Sequence, residues 1–571
     1  MQPSAFTKFG FAGFCLLWSL AWAQSPAQPE AASGFVPQPP VVAQRYLAVT
    51  SNEHATRAAL EMLRLGGSAV DAAIATQLAL TVVEPQSSGI GGGAFLLHWD
   101  AARRQATAFD GRETAPRAAT PVRFAGAKFR DVVATGKSIG TPGVVALLAE
   151  AHARYGRLPW SRLFEPAMRL AEFGFPVSPR LHQLLRDDAF LRGDPGARRL
   201  YYHADGTALA AGQVLKNPAL AATLRQIALG GADAFYRGPL AVDIAAAARA
   251  RGGDLDVADL ADYRAKQREP VCAQYRAWRI CGMPPPSSGG VTVLQMLGLL
   301  QRAPFDRAAP MSAQAVHWFG EAGRLAFADR KRYLGDPDFF AVPQRELLAP
   351  DYLDGRAKLM RPEKSLGVAP PGHLPQRDAL SDDRAPEIPA TAHLSIVDAQ
   401  GNAVAMTTSV EDAFGSRTLV DGFLLNNQLT DFSFSPSDDG RPAANRVQPG
   451  KRPLSSMAPT MVFDRHGRLV AVLGSPGGQR IINYVAQALV ALLDWKMAPE
   501  AAVALPHFGS RNGPTELEQG EFADRIGPAL QRLGEATASD EMTSGLEMIV
   551  RRGKAWVGAV DPRREGLAGG E

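Results

Sequence analysis

The chain has 571 residues, 46% of them hydrophobic and 21% charged, with a formal net charge of +4. That is ordinary globular usage, in a chain long enough for a large core. The small net charge comes with no concentrated basic run, so a nucleic-acid partner is not implied. Length alone allows three or four domains, but no Pro/Ser linker divides the middle of the chain and no internal repeat is visible.

In chain order, the first element is a targeting segment. Lys8 supplies a positive start, Phe9 to Leu20 is apolar, and Ala21-Trp22-Ala23 fits a small-x-small cleavage site. The apolar run is too short for a membrane span. Cys15 follows Phe14, which does not fit a lipoprotein site, so residues 1–23 read as a removed signal peptide and the protein as exported, with no stable membrane anchor. Residues 24–41, rich in Pro, Ala and Gln, read as a disordered leader.

Ala55 to Leu65 and Val70 to Val82 read as helices broken by Gly66-Gly67, the first burying Ala59, Leu60, Leu63 and Leu65. Ala94 to Trp99 and Gln105 to Asp110 read as a hairpin that delivers Arg112 just past a strand end. Residues 140–270 are mainly helical by spacing. Cys272 and Cys281 flank a stretch that can form a tight hairpin; in an exported protein they can form a disulfide, or remain two buried thiols in neighbouring strands. Met461 to Phe463 and Leu469 to Leu473 form another hairpin, after which Gly474 to Gly478 turns into an apolar helix from about Arg480.

Between these lies the run Thr391-Ala392-His393-Leu394-Ser395-Ile396-Val397, a turn at 398–402, and a second alternating run to Ser409. This is a β-hairpin with a threonine at its start. Most such threonines are structural, because a hydroxyl is a poor nucleophile without a base beside it. A cut between Ala390 and Thr391 would free an α-amine to be that base, and its pKa of about 8 leaves a useful fraction neutral near neutrality.

The chain resembles the γ-glutamyltransferase (γ-glutamyltranspeptidase) family of N-terminal-nucleophile hydrolases over roughly residues 42 to 567. The resemblance is carried by Glu84-Pro85-Gln86-Ser87-Ser88-Gly89-Ile90-Gly91-Gly92-Gly93, Phe109-Asp110-Gly111-Arg112-Glu113-Thr114-Ala115-Pro116, the Thr391 run, Leu425-Asn426-Asn427-Gln428, Arg452-Pro453-Leu454-Ser455-Ser456-Met457 and Gly474-Ser475-Pro476-Gly477-Gly478. It implies an α+β fold, a four-layer αββα sandwich made as a large subunit (42–390) and a small subunit (391–571). The implied partners are glutathione and other γ-glutamyl compounds, amino-acid or peptide acceptors and water, with the two subunits forming an αβ heterodimer.

The resemblance also implies roles for single residues. Thr391 is the nucleophile and Ala390–Thr391 the cleavage site. Ser409 places a hydroxyl near the nucleophile's amine, where relatives often have Thr. Gly477 and Gly478 offer backbone N–H groups to an oxyanion. Arg112, Ser455 and Ser456 match carboxylate-binding positions, and Glu411, Gln428 and Asp431 match ammonium-binding positions. The ten histidines show no metal-ligand spacing, and Gly89 to Gly93 lacks the Lys-Ser/Thr of a phosphate loop, so neither metal nor cofactor is expected.

Two departures matter. Glu411 stands where many relatives have Asn, which favours an ammonium and disfavours an acyl chain bearing only a carboxylate. The stretch 433–450 is short and lacks a tyrosine, implying an open cleft. The leading expectation is therefore a self-processing γ-glutamyltransferase/glutathione hydrolase. A cephalosporin (glutaryl) acylase on the same scaffold and a catalytically silent γ-glutamyl-binding homologue are the alternatives.

Overall fold

The computed structural model describes residues 32–375, 379–386 and 390–571; the expected signal peptide lies outside them. Strand periodicity organises the centre. In β8 (Ala390–Val397), Ala392, Leu394 and Ile396 enter one apolar core, while Thr391, His393, Ser395 and Val397 point to the other side. Both faces of the strand are buried, so it sits inside a layered body rather than at a surface.

Fourteen strands form two antiparallel sheets. They are β1 (Val41–Ala43), β2 (Leu47–Thr50), β3 (Gly93–Asp100), β4 (Gln105–Gly111), β5 (Lys266–Arg268), β6 (Val271–Tyr275), β7 (Trp278–Gly282), β8, β9 (Ala403–Glu411), β10 (Thr460–Phe463), β11 (Leu469–Gly474), β12 (Glu547–Arg552), β13 (Ala555–Val560) and β14 (Leu567–Gly570). One sheet runs β14-β2-β8-β9-β3-β4-β5, the other β1-β13-β12-β11-β10-β7-β6. Helices α1 (Glu53–Arg64) and α2 (Ala69–Val83) cover the outer face of the first sheet. Helices α3 (Gly289–Arg302), α4 (Ala313–Tyr333) and α5 (Arg480–Leu493) cover the second. The order is helix, sheet, sheet, helix, the αββα sandwich.

Local chemistry explains the helix starts. Asn52 caps α1 by accepting from the His54 N–H, and Ser68 with Asp71 forms a capping box at α2. The expected helix and hairpin positions match to within two residues, but Leu65, expected on the buried side of the first helix, is 47% exposed because it lies past the last turn as the C-cap of α1. Cys272 and Cys281 are directly paired across β6 and β7 and joined by a disulfide.

The disordered-leader expectation needs correction at its C-terminal end. The Ser33 N–H donates to the Arg563 carbonyl at 2.9 Å, the Val36 N–H to that of Pro562 at 2.8 Å, and Val41 already belongs to β1. The composition of 24–41 hides this because the partners lie at the far C-terminal end of the chain.

Candidate active site

The β8–β9 register places Thr391 opposite Ser409 and Ala390 opposite Glu411, with Val410 as the extra residue of a bulge. Glu411 is pushed to a φ of 84° by this irregularity, which turns its carboxylate into the same pocket as Thr391. The Ser409 hydroxyl donates to the Ala390 carbonyl at 2.6 Å and accepts from the Glu411 N–H at 2.8 Å. The carbonyl of the Ala390–Thr391 bond is thus already polarised. The Thr391 carbonyl accepts from Arg564 Nη1 at 3.0 Å, fixing the residue from its other side.

One pocket is lined by Arg112, Thr391, Ser409, Glu411, Gln428, Asp431, Ser455, Ser456 and Gly478, joined by the apolar Met457 and Ile481. Of the residues singled out in the sequence, Gly477 and Ala390 do not line it; Gly477 instead packs its backbone against Tyr484, where a Cβ would lie 2.5 Å from the ring. In this continuous chain the pocket measures about 30 Å³, room for a water or two. Gly477 and Gly478 have φ of 131° and 56°, and among the described residues neither N–H donates a hydrogen bond. Two backbone donors at a strand–helix turn are therefore available to an anion.

Two opposite charges face one another in the pocket. Arg112, 1% exposed, donates from Nη2 to Asp431 Oδ2 at 2.5 Å and to the Leu454 carbonyl at 2.8 Å, and from Nε to the Pro453 carbonyl at 3.2 Å. Gln428 Nε2 donates to the same Asp431 oxygen at 2.9 Å, while Gln428 Oε1 is buried with no partner among the described residues. Glu411 accepts from Asn427 Nδ2.

Several supporting residues escape sequence reasoning. Arg330 of α4 donates to Ser456 Oγ at 2.9 Å and Ser288 Oγ at 2.8 Å, and Ser288 in turn donates to the Ser455 carbonyl at 2.7 Å. Asn445 Nδ2 donates to the Asp431 carbonyl at 2.7 Å. Nothing local marks Arg330, Ser288 or Asn445, although Asn427 lies within the Leu425-Asn426-Asn427-Gln428 run. Gly92 is needed for another reason: a Cβ there would lie 2.1 Å from the Ser409 carbonyl oxygen.

Glu113 is fully buried behind Arg112, and neither carboxylate oxygen has a hydrogen-bond partner among the described residues. Burial pushes its pKa from 4.5 up to about 8, with Arg112 pulling it part of the way back. The folded state therefore holds a proton that the unfolded chain releases, and stability falls as pH rises from about 4.5 to about 8. The Glu113→Gln variant is expected to gain thermal stability over the parent as pH rises through that window, and to differ little at its acid end. Parallel Tm-versus-pH curves for the two proteins would contradict this.

Two face-to-face antiparallel sheets between helical layers, with a threonine at the head of a central strand and amide donors beside it, define the N-terminal-nucleophile hydrolase class. The family profile described as Gamma-glutamyltranspeptidase matches residues 55–570, and the chain belongs to that family of enzymes. It is 35% identical over 543 residues to the glutathione hydrolase proenzyme of Escherichia coli (strain K12), covering 92% of this chain and 91% of that protein. It is also 35% identical over 524 residues to the acylase ACY 1 proenzyme of Pseudomonas sp. (strain SE83), covering 89% and 90%. Among solved structures, the cephalosporin acylase from Bacillus halodurans superimposes with a TM-score of 0.82 at 28% identity, covering 94% of this chain and 97% of that one.

Proposed function

We propose that this chain is an exported γ-glutamyltransferase/glutathione hydrolase that matures by cutting itself between Ala390 and Thr391. The observation that carries the reading is the Arg112–Asp431 pair beside Thr391. It offers one cation and one anion to a head group that bears both a carboxylate and an ammonium. A γ-glutamyl α-carboxylate would take Arg112, with Ser455 and Ser456 beside it. Its α-ammonium would take Asp431, Glu411 and the unpaired Gln428 Oε1. The substrate replaces one internal ion pair by two, so little net charge is buried.

Maturation begins with Thr391 Oγ attacking the Ala390 carbonyl carbon. Ser409, donating to that carbonyl oxygen, stabilises the developing charge. The Thr391 hydroxyl proton passes to the amide nitrogen, the C–N bond breaks and that nitrogen leaves as the Thr391 α-amine, giving an ester that water hydrolyses to an Ala390 carboxylate and the free Thr391 hydroxyl. Release of Ala390 from Ser409 then opens the small cavity to an acyl chain. In turnover, the α-amine takes the proton from Thr391 Oγ, the oxygen attacks the γ-carbonyl, and the N–H groups of Gly477 and Gly478 receive the oxyanion. The proton passes to the leaving amine, and water or an amino-acid or peptide amine removes the acyl group from Thr391.

Removing the hydroxyl in Ser409→Ala is expected to slow self-cleavage by about 10²-fold, the usual cost of losing one oxyanion donor. A time course of fragment formation after synthesis measures it; wild-type kinetics in the variant would remove Ser409 from the scheme. The substrate assignment is tested by comparing kcat/KM for γ-glutamyl-p-nitroanilide and its glutaryl counterpart, which lacks only the α-amine. A large γ-glutamyl preference is expected, since a site built around a polar group rejects the analogue lacking it by up to about 10⁴-fold. Equal rates or a glutaryl preference would instead assign the chain to acylase chemistry.

A further inference from the structure

The end of the sandwich away from Thr391 carries a second concave site. From Thr391 along β8 to Val397 is six residue steps, about 20 Å at strand rise, and Asp398 follows, so the two sites lie at opposite ends of the sheets. Four hairpin turns converge there: β3–β4, β8–β9, β10–β11 and β12–β13. Between them lies a cleft of about 420 Å³ with the indoles of Trp99 and Trp556 in its lining.

Its charge is one-sided. Arg45, Arg104, Arg468, Arg551 and Lys554 line it, against the single carboxylate of Asp398. That carboxylate is fully buried and spent: Oδ1 accepts from the N–H groups of Gln400 and Asn402, both at 2.9 Å, and Oδ2 from the Ala69 N–H at 3.1 Å and Asn402 Nδ2 at 2.8 Å. Arg468 is neutralised by Asp464 at 2.7 Å, and Arg45 lies 3.7 Å from Glu571. Among the described residues, Arg104, Arg551 and Lys554 have no acidic partner.

The guanidinium groups are held rather than loose. Arg551 lies over the Trp556 ring at 5.3 Å from its centroid and donates to the Gly553 carbonyl at 3.3 Å. Arg104 takes a φ of 54° and donates to the His466 carbonyl across the cleft. Gly467 gives it room, since a Cβ there would lie 2.9 Å from Arg104 Nη2. Like charges held together in a concavity raise the local potential and recruit a compact counter-anion.

We propose that this cleft binds a multiply charged phosphate group, gripped by the arginine forks and by Lys554. Arginine is the residue suited to bidentate phosphate contacts, and each terminal phosphate brings up to about two negative charges near neutrality. The phosphate belongs either to a soluble polyphosphorylated molecule or to a lipid headgroup. The site does not depend on the catalytic reading.

Calorimetric titration of the purified protein with inorganic tripolyphosphate at low ionic strength tests it, beside flotation with phosphatidic acid and phosphatidylcholine vesicles. Tripolyphosphate is expected to bind and to weaken steeply with added salt. The exposed pair Arg551→Gln/Lys554→Gln should lose affinity by about tenfold or more, and Arg551→Glu/Lys554→Glu further, with Tm and γ-glutamyl turnover unchanged. Binding to phosphatidic acid vesicles alone, lost in the same variants, would assign the phosphate to a headgroup. Binding of neither probe, or equal binding by wild type and both variants, would overturn the proposal.

Discussion

Thr391→Ala should purify as one continuous chain with no measurable γ-glutamyl hydrolysis, a loss of at least about 10³-fold. The same oxygen is asked to do two jobs, cutting the Ala390–Thr391 bond and carrying the acyl group. Its neighbours support both: Ser409 holds the Ala390 carbonyl oxygen at 2.6 Å, and Arg564 holds the Thr391 carbonyl at 3.0 Å. The methyl side chain of alanine still suits a buried strand position, so the variant should fold. A denaturing gel with intact-mass measurement reads the result. Two fragments ending and starting at residues 390 and 391 would show that another group performs the cut.

Asp431→Asn is the second large effect. The carboxylate is the nearest anion to a guanidinium that is 1% exposed, and it also receives Gln428 Nε2 at 2.9 Å. Loss of its charge removes one partner of a buried pair and, in the proposed turnover, the partner of the substrate ammonium. Together these are expected to cost about 2–4 kcal/mol of transition-state stabilisation, roughly 30- to 1000-fold in kcat/KM for the γ-glutamyl anilide. The glutaryl anilide should suffer far less, which separates lost ammonium recognition from general damage to the site. An equal fall for both substrates would mean that Asp431 only props Arg112 in place.

Much of this site is legible in the sequence because its parts sit at element ends. Thr391 heads an alternating run, Arg112 follows a strand, and Gly477-Gly478 joins a strand to an apolar helix. Period and punctuation find such positions, and the family resemblance supplies their roles. The supports are different. Arg330 reaches Ser456 across 126 positions, and Arg564 reaches Thr391 across 173. The helical spacing around Arg330 shows only that α4 is buried, and a buried arginine without a visible partner carries no address. The raised proton affinity of Glu113 is hidden for the same reason, since it arises from burial that only the folded chain creates. The docking of residues 33–36 on 562–563 likewise needs the folded C-terminal end.

The sheet order has a consequence for assembly. In one sheet β8 and β9 lie between β2 and β3, and β2 is itself flanked by β8 and β14; in the other, β10 to β13 lie between β1 and β7. Segments before and after residue 390 are thus interleaved like the fingers of two clasped hands. A cut there would create two polypeptides whose separation means tearing five strand ladders and splitting both hydrophobic cores. Dilution would not part them, and neither piece expressed alone would inherit a complete sheet. Such a protein is a heterodimer by covalent history alone: its partner choice is made before the bond is broken.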